Sequence, residues 1–123
     1  MPTRSAAQAK KDDPLLAVCR SLPGATEDVK WGSDLVFSVG GKMFAGFQLP
    51  ERAPVGFKVA PATFDMLIGH DGIIPAPYAA RFHWVSVTDR TRVPLRTLKD
   101  LLTESHRLVA EKLPLKTRKK LGL

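Results

Sequence analysis

The chain has a single cysteine, Cys19, so no disulfide can form within it and nothing in its covalent chemistry needs an oxidising compartment. Cys19 lies between Val18 and Leu22 on an apolar helical face and reads as a buried structural thiol. No run approaches the roughly 18 apolar residues a membrane-spanning helix requires, and the first residues are polar, without the apolar centre of a secretion signal. A cytoplasmic protein with no membrane association is expected. Glycine-rich phosphate loops are also missing. Gly40-Gly41 lacks the G-x-x-x-x-G-K-[ST] and G-x-G-x-x-G frames and joins two strand-like segments instead of a strand to a helix. The histidines His70, His83 and His106 fall outside any zinc-ligand spacing, so neither a metal nor a cofactor is expected. Ser33, Ser38, Ser86 and Ser105 have no nucleophile-elbow context. Glu27 and Asp28, adjacent on a strand, point to opposite faces and cannot serve one centre. His70-Asp71-Gly72 reads as a polar turn. With no catalytic residue in view, an enzyme is not expected.

What is present is enough apolar material for one core. Apolar residues make up 44% of 123 residues and charged residues 25%, the balance of an ordinary globular domain. Residues 1–12 mix Ala, Ser, Gln and Lys without periodicity and are read as a flexible N-terminal arm before a single domain over 13–123. Asp13 can cap a helix with Pro14 at its first position, and Leu15, Val18, Cys19 and Leu22 recur at helical spacing until Pro23-Gly24. The period then becomes two. Leu35, Phe37 and Val39 alternate on one strand, and Gly40-Gly41 turns the chain into Met43, Ala45, Phe47 and Leu49 on the next. Val55, Phe57 and Val59 make a further strand, residues 26–30 another, and residues 82–87 one more. Pro75 and Pro77 are expected to keep 73–80 out of regular ladders. Helices are expected from Pro61, with Phe64, Leu67 and Ile68 on one face, and over 94–113, with Leu98, Leu101, Leu102, Ser105, Leu108 and Val109 as the stripe. The expected architecture is a two-layer α+β domain, an antiparallel sheet of about five strands packed on helices.

The net charge is +7 and unevenly placed: residues 94–123 carry 8 Lys/Arg against 3 Asp/Glu, the preceding 93 residues 11 against 9. A basic run, Lys112, Lys116, Arg118, Lys119 and Lys120, can neutralise phosphates and release their counterions. Lys42 at the hairpin, Arg52 in the next loop and Lys58 lie at strand ends and could join it. On the long helix, Arg107 with Glu111 and Arg96 with Asp100 are spaced to neutralise one another. Trp31, Tyr78 and Trp84 could stack on bases, although Trp31 and Trp84 read more naturally as core residues. Tyr78, Arg81 and Trp84 mark a candidate ligand pocket where an irregular loop meets a strand.

The order of segments resembles the MmcQ/YjbR family. The resemblance runs through Leu22-Pro23-Gly24-Ala25-Thr26-Glu27, Trp31-Gly32, the hairpin Phe37-Ser38-Val39-Gly40-Gly41-Lys42-Met43-Phe44-Ala45, Pro75-Ala76-Pro77-Tyr78 with Trp84-Val85, and Ser105-His106-Arg107-Leu108-Val109 before Leu113-Pro114. It departs from the family pattern at Ala79-Ala80-Arg81, where members carry Asn-Lys, and at His106, where Tyr is common. The resemblance implies a frataxin/CyaY-like fold whose hairpins form a double wing, and a DNA partner. The expected function is therefore a non-catalytic, monomeric DNA-binding module driven by backbone charge. The alternative is a small-molecule or protein-binding adaptor with its pocket at Tyr78, Arg81 and Trp84. A frataxin-like iron carrier is disfavoured, because only Asp12 and Asp13 precede the first helix.

Overall fold

The computed structural model describes residues 13–123; the arm expected over 1–12 lies outside the described residues. Helix α1 (Pro14–Ser21) starts as the sequence suggests, with the Asp13 carboxylate accepting from the Leu15 N–H at 2.9 Å and Pro14 in the first turn. Its Leu15, Leu16 and Cys19 are fully buried. Burial first, then the charge of Asp13, pushes the Cys19 thiol up to about 12, which leaves it inert at neutral pH.

The strands are β1 (Ala25–Lys30), β2 (Asp34–Val39), β3 (Lys42–Gln48), β4 (Val55–Lys58), β5 (Ile73–Pro75) and β6 (Trp84–Val87). They form one antiparallel sheet in the order β1-β2-β3-β4-β6-β5. The sixth strand is β5, in the stretch the prolines were expected to keep irregular. It pairs only with β6, and an edge strand tolerates Pro75 because one side of its ladder needs no donor. Strand β6 begins later than expected. Ala80–Phe82 forms a 3-10 turn, and His83 adopts a left-handed backbone (φ 62°) that stops the ladder short of it.

The hairpin at Gly40-Gly41 carries a further correction. Phe37 pairs with Ala45 but Ser38 pairs with Met43, leaving Phe44 as the extra residue of a β-bulge. The bulge sends Phe44 into the core and swings Met43, expected on the apolar face, to the other side, where it is 40% exposed.

Helix α2 (Pro61–Leu67) follows β4. Helix α3 (Leu95–Ala110) crosses β2, β3 and β4 and packs on α1. Its buried Leu98, Leu102, Ser105 and Val109 lie on the expected stripe; it ends three residues earlier than expected, and Pro114, which disfavours a helical residue before it, opens the short α4 (Leu115–Leu121). Ser105 bonds the carbonyls of Lys58 and, at 2.9 Å, Leu101, tying α3 to the end of β4. His106 lies within 2.7 Å of the Pro23 carbonyl through Nε2 and stands edge-on to Phe44. Arg107 bonds both Glu104 and Glu111, whereas no ion pair forms between Arg96 and Asp100. No helix among the described residues is long and apolar enough to cross a membrane.

Candidate functional site

All the helical packing falls on one face of the sheet, where Phe37, Phe44, Phe47 and Phe57 are at most 1% exposed. The other face is not covered by a helix among the described residues, although Val36 and Ser86 at its centre are only 3% and 7% exposed. Strand alternation places Asp34 and Val36 of β2, Gly46 and Gln48 of β3, Gly56 and Lys58 of β4, and Trp84 and Ser86 of β6 on it. Across the strands Val36, Gly46, Gly56 and Ser86 stand side by side in register. Two consecutive glycines in that row strip the sheet to bare backbone: a Cβ at Gly46 would meet nothing within 4 Å.

The bare row is the floor of a groove of about 540 Å³, walled by Trp31, Met43, Tyr78 and Trp84. A second, overlapping lobe of about 870 Å³ shares those walls and runs on to the junction of α3 and α4, where Lys42, Lys58 and Lys112 line it. The Lys58 ammonium donates to the Phe82 carbonyl at 2.8 Å. Burial, then the charge of Lys112, lowers its pKa from the ordinary lysine value. Cations are thus crowded at this end, and among the described residues Asp34, near Trp31, is the one carboxylate that lines the groove.

Trp31, expected in the core, is 71% exposed, and Tyr78 is fully exposed. Both hold left-handed backbones, φ 52° and 66°, which only a minority of non-glycine residues adopt. Such conformations cost on the order of 1 kcal/mol each and concentrate at ligand clamps.

Of the expected phosphate contacts, Lys42, Lys58 and Lys112 come together in the groove with Tyr78 and Trp84 of the expected pocket. The others do not join them. Arg52 is drawn into an ion cluster instead: its Nε lies 3.0 Å from Asp13 Oδ2, and Arg90 reaches the same carboxylate through two nitrogens at 2.8 Å. Arg81 lies over the Phe82 ring at 4.7 Å and does not line the groove. Lys116, Arg118, Lys119 and Lys120 sit on α4, beyond the groove's rim at Leu113 and Pro114. Among the described residues no three His, Cys, Asp or Glu side chains gather as a metal site.

Sequence reasoning missed the groove floor, with Ser86, and its polar end, Asp34 and Gln48. A signal existed, since glycine inside a strand weakens it unless something must approach the backbone closely, and Gly46 and Gly56 are both such glycines.

The crystal structure of Deinococcus radiodurans protein DR2400, with family-model domain DUF419, is similar to this chain at a TM-score of 0.79 and 30% sequence identity, over 100% of this chain and 91% of that one. No curated protein matches the chain. The YjbR family model matches residues 20–108, a span that holds the whole sheet and both groove walls but not Lys112 or α4. The chain belongs to the YjbR family.

Proposed function

We propose that this chain binds single-stranded DNA along the open sheet face and catalyses no reaction on it. The observation that carries this reading is the sharing of one groove by three aromatic side chains, Trp31, Tyr78 and Trp84, and three lysines, Lys42, Lys58 and Lys112. Stacking surfaces and backbone cations in one channel suit a ligand that alternates planar rings with negative charge. A duplex fits less well, because its base faces are already stacked and leave the exposed aromatics without a partner. Charge on α4 adds long-range attraction outside the groove. The adaptor alternative uses the same cavity apart from Arg81, and a small aromatic anion would fit its volume.

Fluorescence anisotropy of a labelled thymidine decamer, alone and as a duplex, at about 50 and 200 mM salt separates these readings. With three lysines engaged, log K should fall with log salt at a slope of about −2, and the single strand should bind more tightly than the duplex. Reversing the charges of α4 should change affinity less than reversing the three groove lysines. No affinity at the lower salt, or a preference for duplex, refutes the proposal.

A further inference from the structure

The groove is chemically two-ended. Lysines occupy one end; at the other, Asp34 and Gln48 face each other as cross-strand partners, and both line the cavity. Neither side chain has a hydrogen-bond or ion-pair partner within the described chain, and Lys30, opposite Asp34 on β1, does not close on it. Between the ends, the Ser86 side chain also has no partner although the residue is only 7% exposed, and it lines the floor beside Gly56. No buried side-chain oxygen or nitrogen among the described residues lacks a partner, so the Ser86 hydroxyl reaches solvent in the groove and is open to a ligand there.

Resting on the single-strand reading, we propose that Asp34 and Gln48 read one base of the strand, and that the base is guanine. The Watson–Crick edge of an unpaired guanine offers two adjacent donors, N1–H and the N2 amino group, followed by the O6 acceptor. A carboxylate accepts the two donors side by side, and the Gln48 amide N–H donates to O6. The other bases fail this test. Adenine turns a ring-nitrogen acceptor towards the carboxylate, cytosine offers one amino group beside acceptors, and thymine offers one N–H between two carbonyls.

The span fits. Asp34 and Lys58 stand two strands and two side-chain rows apart, about 10 Å across the sheet and about 13 Å along it. That leaves room for a base over the Gly46–Gly56 floor, with Trp31 beside it, and its backbone phosphates at Lys42, Lys58 and Lys112.

The test uses thymidine pentamers whose central base is guanine, adenine, cytosine, thymine or hypoxanthine, titrated by quenching of tryptophan fluorescence. The guanine strand should bind about tenfold more tightly than the other three natural strands. Hypoxanthine, which lacks the N2 amino group, should lose most of that advantage. Asp34→Asn, nearly isosteric and checked by thermal melting, should abolish the preference, the guanine strand then binding no more tightly than the all-thymine strand measured on the same variant. Equal affinity for all bases, or a guanine preference that survives Asp34→Asn, overturns base reading while single-strand binding stands. Failure of the all-thymine strand to bind overturns both.

Discussion

On the helix-covered face of the sheet every phenylalanine is sealed, whereas on the open face Trp31 is 71% exposed and Tyr78 wholly so. Both sets of rings carry large apolar surfaces, yet only the first set is buried by folding. The contrast extends to glycine. At Gly40, which turns the hairpin with φ +56°, an added Cβ would come within 2.7 Å of Leu113; at Gly46, on the open face, it would touch nothing. One face is packed for stability, and the other is left bare at a cost in stability.

The largest effect that could break this comparison belongs to the covered face. Phe47→Ala should lower the unfolding free energy by about 3–5 kcal/mol in urea denaturation, since the emptied site is ringed by core residues that relax only partly. A cost below 1 kcal/mol would mean that this face is not the core.

Next comes the ion cluster that fastens the start of α1. Burial alone would raise the Asp13 pKa, but the hydrogen bonds from Arg90 and the Leu15 N–H, with the charges of Arg90 and Arg52, outweigh it and hold the carboxyl below its ordinary value. A depressed carboxyl pKa stabilises the fold above its unfolded value, about 3.9, and that contribution disappears as pH falls through the folded value. Asp13→Ala should cost about 2–3 kcal/mol at neutral pH, the lower part of the range for a buried pair because both arginines are part-exposed. The gap to the parent should narrow below pH 4, read as melting temperature against pH. A constant gap from pH 7 to pH 2 would show that the charge is irrelevant.

The glycine pair sharpens the comparison at smaller magnitude. Gly40→Ala should destabilise by about 1–2 kcal/mol through strain and overpacking. Gly46→Ala should leave stability unchanged or raise it by about 0.5–1 kcal/mol, as expected when strand glycine is replaced, while weakening strand binding by roofing the floor with a methyl group. Equal destabilisation by both variants would remove the distinction between the faces.

Much of the covered face was legible in the sequence, because burial leaves a periodic trace. The Leu35, Phe37 and Val39 alternation, the Asp13–Pro14 start and the α3 stripe each follow from local spacing. The bulge at Phe44 was not legible: one extra residue resets the alternation, and only cross-strand register reveals which side Met43 then takes. Edge position, another non-local fact, decides that Ile73–Pro75 can be a strand. The open face leaves a fainter trace still. Lys42, Lys58 and Lys112 were recognisable as cations, but only tertiary packing joins a hairpin, a strand end and a helix terminus into one basic lobe. The same packing sets Arg52 apart, since its partner Asp13 lies 39 positions away.

The central claim, that the open face is kept bare for a single strand, is tested most directly by Trp31→Ala/Tyr78→Ala titrated with the thymidine decamer beside its melting curve. Each stacked base is worth about 1–3 kcal/mol, so affinity should fall by roughly 30-fold or more. The melting temperature should stay within a few degrees, about what exposed positions allow. Undiminished affinity, or a collapse in stability with no separate loss of binding, would contradict the account.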